Sequence, residues 1–541
     1  MTATAPAHRV DGRAKVAGTA RYVDDLRPPE LGWDFQVAVP VTSTCSSGRV
    51  AAVDTDAALR VPGVRLVMMY LNAPRLRKVV AASMAEIGEL LPLQDDRVRY
   101  HGQCVAVVIA DSLRAAQDGA RRVTVRYEDV AEARAFTVAD AGARLREVRR
   151  AGIAPGRIAR GDALADFAAA PVRVDRTYHA APHHHNAIEP SAVIARWDRD
   201  GGITVHAAVQ WHHIDTLVIG QAFGLGAAST APGLLARALL GTGIAGKVRL
   251  VNALAGGAFG RNLNTIHLLL ACMAAKVAGR AVKVVLSREQ TFSLLPYRSE
   301  VRQRLRLGAA EDGRLLTMIQ EPDVAKGTAG RYVEPVGETP CQIYAHRSHL
   351  LRHRVAALDL NGAGWMRGPG VSSALFALET AMDDLARQVG VDPLELRLRN
   401  YAETNPQTGR EWTGKSLRRC YEVGAEAIGW AGRPGGGTVR ADGRLVGYGM
   451  ATSFDLGRRF PAGARVELRR DGTAVVSVAA AEIGQGILTA LTTIAAETLG
   501  LPRDRIVLRT AHTALPYAAG SIGSTGTFSN GTAVYDAALA V

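Results

Sequence analysis

The tightest constraint in the sequence is the stretch Leu254-Ala255-Gly256-Gly257-Ala258-Phe259-Gly260-Arg261. It follows a short apolar run, Val248-Arg249-Leu250-Val251, and precedes a long one at Ile266–Ala278. The pattern reads as strand, glycine turn, helix. Paired glycines let a backbone turn sharply and approach a ligand with no Cβ in the way. Free N–H groups at the start of the following helix can then face an anion or an oxo group. The same pattern also serves as a plain tight connection, and this stretch alone does not separate the two uses.

A chain of 541 residues exceeds one hydrophobic core and implies about two to four domains. No run of about 18 uncharged apolar residues occurs, so no membrane span is expected. Residues 1–10 lack a basic start followed by an apolar stretch, so no secretory signal is read and a cytoplasmic location is expected. The net charge is +14, and seven of the 65 basic residues are Lys, leaving 58 Arg. These arginines are spread along the chain among Asp and Glu. A nucleic-acid binder gathers them on one face beside aromatics, and aromatics make up only 5% of this chain. An Arg-rich soluble protein with an acidic partner or an anionic ligand is the better reading. Cys45, Cys104, Cys272, Cys341 and Cys420 stand far apart, which excludes a zinc knuckle or an iron–sulfur cluster held by this chain alone.

Short strands and helices over residues 1–135, among them a strand group at 98–109 and a helix at 115–120, predict a small α/β domain. Composition marks 136–170 as a linker, 171–430 as a second unit and 431–541 as a third. His183, His184 and His185 are consecutive and cannot all reach one ion from a strand, so they read as a turn; His212 and His213 read the same way. Gly241-Thr242-Gly243-Ile244-Ala245-Gly246 matches a dinucleotide fingerprint, but its apparent helix, 234–240, precedes the glycines instead of following them. A nucleotide-dependent dehydrogenase is therefore a poor reading. Three further glycine-framed segments stand before predicted helices: Met366-Arg367-Gly368-Pro369-Gly370, Gly484-Gln485-Gly486, and Gly520 to Gly526, which contains Gly523-Ser524.

Four such loops in this order, with Gln210 and Gln485 as neutral donors, resemble the molybdenum-binding subunit of the xanthine dehydrogenase and aldehyde oxidase family. The opening Asp11-Gly12 is similar to the start of that family's hammerhead domain, and Gly256-Gly257-Ala258-Phe259-Gly260 to its Gly-Gly-x-Phe-Gly loop. Met366 to Gly370, with Glu379 and Asp383 after it, resembles its Arg-Gly loop and following helix. Val333-Glu334-Pro335 points to the three-subunit bacterial aldehyde oxidoreductases. The resemblance implies an α+β fold: a hammerhead-like domain, then two elongated mixed α/β molybdopterin-binding domains, the second truncated.

It also implies a molybdenum–molybdopterin cofactor, in the cytosine dinucleotide form, that oxidises an aldehyde or N-heterocycle with water as the oxygen source. The 2Fe-2S centres and FAD would sit on separate partner subunits, to which electrons pass. By resemblance, Gln210, Phe259 and Arg367 are catalytic: Gln210 donates to an oxo group, Phe259 walls the pocket, and Arg367 adds a donor. Gly256, Gly257, Ala258, Phe259, Gly260, Arg261, Met366, Arg367, Gly368, Gln485, Gly486, Gly523 and Ser524 are the expected cofactor contacts. No protein side chain is expected to bind the metal directly. Two departures stand out: Arg261-Asn262 follow Gly260 where the family more often has Gly-Lys or Ser-Lys, and the 217–246 region is longer than usual.

The family's base lies in a Gly-x-Gly-Glu motif, which this sequence lacks, and Glu482 falls in a different segment. A second chain supplying that segment is one expectation, and a non-catalytic cofactor-binding remnant is the alternative. The resemblance therefore predicts that these 541 residues alone are inactive and prone to associate, since a positioned base contributes about 10²–10⁴-fold in rate. Adding the segment in trans or by fusion should restore turnover, read as aldehyde oxidation with an artificial electron acceptor. Robust turnover without it would show that another residue serves as base.

Overall fold

Apolar runs and alternating patterns assemble here, among the described residues, into two large sheets and four smaller ones. The computed structural model describes residues 8–79, 91–131, 135–140, 144–152, 154–225, 246–251, 254–263, 266–434, 437–455 and 457–541. The first sheet is seven-stranded, ordered Val248–Val251, Ile203–Ala207, Ala192–Trp197, Ala281–Val285, Phe35–Thr42, Cys104–Ala110 and Val64–Met69. Cys104–Ala110 is buried throughout, as a strand covered on both faces must be. Three strands from the first 135 residues thus complete a sheet begun by the next unit, joined where Phe35–Thr42 pairs in parallel with Ala281–Val285. The helix Ile266–Ala278, apolar apart from His267 and Lys276, lies in this core, buried from Ile266 to Ala275.

The second sheet carries Arg157–Arg160, Ser348–Arg352, Leu315–Gly327, Val301–Ala309 and Val172–Ala180, with Arg354–Leu358 also paired to Leu315–Gly327. Val301–Ala309 begins by alternating buried and exposed residues, so Arg302 and Arg304 face outward. Arginines on this sheet meet acids on neighbouring strands: Arg304 with Asp175 at 2.7 Å, Arg306 with Glu321 at 2.8 Å and Arg354 with Asp323 at 2.6 Å. Much of the basic excess in the sequence is interleaved with carboxylates in this way. The helix Val371–Val389 packs on this sheet, started by Gly370 and stopped by left-handed Gly390. A third sheet orders Arg465–Leu468, Ala474–Ser477 and Ile506–Arg509.

Two expectations change. The segment 136–170 is no linker: Arg157–Arg160 pairs with Ser348–Arg352, and Ala163–Ala169 is a helix capped by Asp162. Its Ala, Arg and Gly content hid an edge strand whose partner lies nearly 200 residues away. The loop at 256–260 does not run straight into its helix either, because a short turn, Arg261–Leu263, intervenes before Ile266. The free amides there belong to the loop and not to a helix start. The glycine match at 241–246 and the helix read at 234–240 lie outside the described residues, except Gly246.

Glu379 on Val371–Val389 is a core anchor, with partly exposed Asp383 one turn further on. Arg397 is fully buried and donates to Glu379 Oε2 and to Asp383 Oδ1, both at 2.8 Å. Glu379 also accepts the Tyr344 hydroxyl at 2.7 Å and the Thr452 amide at 2.8 Å. This network ties the second unit to residue 452 of the third. Removing one partner strands the other charge in the interior, so Arg397→Ala is expected to cost about 3–5 kcal/mol. The check is the chemical-unfolding midpoint. A variant within experimental error of the parent would mean that water already screens the pair.

Candidate cofactor site

Each glycine loop follows a strand and precedes a helix: 248–251 before 254–263, 354–358 before 363–370, 474–477 before 481–486, and 506–509 before 519–526. All four therefore sit at carboxyl ends of strands, where open α/β sheets leave crevices for ligands. They also touch one another. Arg367 donates its amide to Phe259 O at 2.9 Å, and Ala255 donates to Glu482 O at 3.4 Å. Gln210, buried just after the strand Ile203–Ala207, joins two more. Its Oε1 accepts the Gly260 amide at 3.0 Å, and its Nε2 donates to Ser521 O at 2.9 Å. Ser521 returns its own amide to Gln210 O at 2.8 Å.

The loops are held from behind by buried glutamates. Glu189 Oε2 accepts the Gly256 amide at 2.7 Å, and Glu334 Oε1 accepts the Gly370 amide at 2.6 Å. Glu482 accepts the amides of Gly484, Gly486 and Leu488 at 2.8, 3.1 and 3.3 Å. Buried arginines serve the carbonyls. Arg261 donates to Glu189 O at 2.7 Å and to Gly257 O at 3.2 Å, while Arg298 donates to Arg367 O. Burial lowers the Arg261 guanidinium to about 10, against the pull of Glu189. Gly260 has no room for a side chain, since a Cβ there would stand 2.1 Å from Trp365 O.

The predicted contact residues divide accordingly. Phe259, Arg367, Gln485, Gly523 and Ser524 are exposed at the outer faces of the loops, and Gly256, Gly257, Met366, Gly368 and Gly486 are half-buried beside them. Ala258, Gly260 and Arg261 are buried. Arg261 faces back into the protein, because its guanidinium is occupied by Glu189, Gly257 and Asn262. Gln485 is exposed, but its Nε2 is taken by Ala481 O at 3.1 Å and Ser521 Oγ at 2.9 Å. Its amide braces the loop and leaves only the backbone for a ligand. Gln210 keeps one amide hydrogen free of partners among the described residues.

The outward surface carries donors. The amides of Gly257, Ala258, Phe259, Gly523 and Ser524 donate to nothing among the described residues. Phe259 and Ser524 hold positive φ, 54° and 58°, a conformation that costs a non-glycine residue about 1–3 kcal/mol and persists only where its surroundings impose it. A Cβ on Gly484 would meet nothing within 4 Å, and one on Gly523 only Thr525 Cγ2 at 3.9 Å. Unpaired amides, an exposed Arg367 and inward-turned carboxylates make a donor set that fits an anionic, oxo-bearing group such as molybdopterin.

His185 Nε2 donates to Trp365 O, 2.8 Å away, and burial lowers its pKa to about 4. His184 packs its ring on Phe292. No cluster of metal-ligating side chains occurs among the described residues. Sequence reasoning assigned no role to Glu189, Glu334 or Ser521. A signal existed for the glutamates: each precedes proline, at Glu189-Pro190 and Glu334-Pro335, which fixes an extended backbone there.

Burial raises the Glu189 carboxyl from its ordinary 4.5 to about 7, opposed by the Gly256 amide and Arg261. The folded chain then holds this proton more tightly than the unfolded chain does. The stabilisation is complete below about pH 4.5 and is lost as pH rises through about 7. In Glu189→Gln that loss disappears, so the parent's unfolding midpoint should fall relative to the variant's across this window. Parallel pH profiles would place the Glu189 pKa back in the ordinary range.

Comparison with known proteins agrees with this layout. A model described as the aldehyde oxidase and xanthine dehydrogenase a/b hammerhead domain matches residues 17–131. Two molybdopterin cofactor-binding domain models match 146–230 with 235–401, and 424–541. The aldehyde oxidoreductase molybdenum-binding subunit PaoC of Escherichia coli K12 is 30% identical over 99% of this chain and 69% of its own length. The putative xanthine dehydrogenase molybdenum-binding subunit XdhA of the same strain is 27% identical over 98% of this chain and 71% of its own. The fold matches the aldehyde oxidoreductase of Desulfovibrio gigas with a TM-score of 0.77 at 24% identity, over 98% of this chain. The chain spans only 59% of that protein's length. The chain belongs to the molybdenum-binding subunits of the aldehyde oxidase and xanthine dehydrogenase family.

Proposed function

We propose that this chain is the cofactor-binding part of a molybdenum hydroxylase that oxidises an aldehyde or an N-heterocycle, with water as the oxygen source. The observation that carries this reading is the meeting of four glycine loops: Gln210 joins 256–260 to 519–526, the loops at 366–370 and 482–486 bond to residues 255–259, and five loop amides have no partner among the described residues. Molybdopterin, when bound, supplies the two-electron redox chemistry and polarises the reacting oxygen. The protein's part is to bind, orient and exclude water.

In this reading the amides of Gly257, Ala258, Phe259, Gly523 and Ser524 bind the anionic parts of the cofactor. The backbone at Met366–Gly368 and at Gln485-Gly486 completes its cradle. Gln210 offers its free amide hydrogen to an oxo group, anchored by Ser521 and Gly260. Phe259 is 42% exposed, and its ring lies against Gly257, where a Cβ would come within 3.0 Å of Cε2. It walls the pocket and narrows water's access. Arg367 places a cation at the rim for a polar substrate group. No carboxylate of the three that hold the loops acts as the base, since Glu189, Glu334 and Glu482 are turned onto backbone amides. Electrons leave to iron–sulfur and FAD centres on partner subunits, and the cofactor is the cytosine dinucleotide form.

Molybdenum per chain, measured by mass spectrometry on protein purified with its partners, tests the reading. Gly257→Val puts a side chain where φ is +101° and Phe259 and Ala187 crowd the site, and it should remove most of the metal. Phe259→Ala should retain the metal and lower kcat/KM for aldehyde. Full metal occupancy in Gly257→Val would place the cofactor elsewhere.

A further inference from the structure

Residues 8–16 lie ahead of the first matching family model, which begins at residue 17, yet they reach the loop at 482–486. Arg9 is the centre of this contact. Its Nη1 donates to Gly484 O at 2.8 Å, and its Nε and Nη2 form a fork on Asp11 at 2.9 and 2.8 Å. Nη2 also lies 3.4 Å from Glu482 Oε1. The guanidinium thus sits between two buried carboxylates, Asp11 at 8% exposure and Glu482 at 4%. Lys15 Nζ, 2.5 Å from Asp11, balances the second charge. Backbone contacts run alongside: Val10 donates to Thr489 Oγ1 at 3.0 Å, and Arg503 donates to His8 O at 2.7 Å.

We propose that the segment His8–Lys15 is a latch for the loop at 482–486, with Arg9 as a positioning residue that acts through Glu482. Glu482 gathers the amides of Gly484, Gly486 and Leu488, and a carboxylate does this well only while ionised. Buried at 4% exposure without a counter-charge, it would stand as an uncompensated charge in the interior, which costs stability and loosens the turn it holds. Arg9 supplies that counter-charge and pins Gly484 O, the acceptor side of the same turn. The Asp11 fork fixes the guanidinium plane, which a flexible ammonium could not match. The loop therefore takes its final shape only after the first turn of the chain has docked on it. The consequence for cofactor retention rests on the function proposed above.

Hydrogen–deuterium exchange of the full chain, read by mass spectrometry on peptides covering 481–490, tests the latch. In Arg9→Gln, exchange there should be about 10- to 100-fold faster, the equivalent of one charge-assisted hydrogen bond. The strands at 301–327 should be unchanged. Arg9→Lys, which keeps the charge and loses the fork, should fall between. Thr489→Val, which removes the acceptor of the Val10 amide and leaves Arg9 intact, should give a smaller acceleration in the same peptides. Unchanged exchange at 481–490 would overturn the latch, as would equal acceleration at 301–327, which would make the segment a general stabiliser. Molybdenum content is measured on the same preparations. Fast local exchange with full metal would uphold the latch and remove this loop from the cofactor site, so the two readings fail separately.

Discussion

A loop that turns its amides toward a ligand gives up the hydrogen bonds that would otherwise hold its shape. This chain restores the shape from behind with buried carboxylates. Glu189, Glu334 and Glu482 each accept amides at the edge of one glycine loop. A carboxylate accepts without donating, so it can collect rearward amides and leave the forward ones free. Each, when ionised, also brings a negative charge close to a surface suited to an anion. The arginines resolve that conflict: Arg261, Arg298 and Arg9 each donate to a carbonyl of the corresponding loop. Behind three of the four loops a guanidinium therefore stands with the carboxyl group that holds the amides.

Gln210 does for the fourth loop what an ionised residue could not. Its oxygen takes the Gly260 amide while its nitrogen gives to Ser521 O. A glutamate there would face Ser521 O with no donor, and a lysine would face the Gly260 amide with no acceptor. The neutral amide suits a junction where one loop offers N–H and the other C=O. Both partners are buried, so an error would leave an unsatisfied group at a cost of about 1–3 kcal/mol.

What the sequence disclosed follows the range of the interactions. The helix at 266–278 rests on local periodicity and stands where the sequence reading places it. The strand Arg157–Arg160 was missed because its partner, Ser348–Arg352, is remote and its own four residues carry no pattern. Arg261 was read as facing the ligand because it follows the loop in sequence. The turn Arg261–Leu263 instead swings its side chain beneath Glu189. Glu379 and Asp383 were legible as a pair on one helix, but their partner, Arg397, lies on the next helix, Pro393–Arg399. Position along the chain was visible, and direction in space was not.

The same remoteness bears on when the site can exist. Its parts come from residues 9–11, 189, 210, 256–261, 298, 334, 366–370, 482–486 and 519–524, and the contact between Val10 and Thr489 closes 479 positions of chain. Contacts of such separation are formed late, because the entropy of closing a long loop is lost before the contact returns anything. The two large sheets rest on their own strand pairings, whereas the loops rest on contacts between distant segments. Those contacts join residues 9–11, Gln210 and 482–524. On the function proposed above, such a site reports whether these units have docked: a chain in which any one of them has failed to dock presents three loops or fewer.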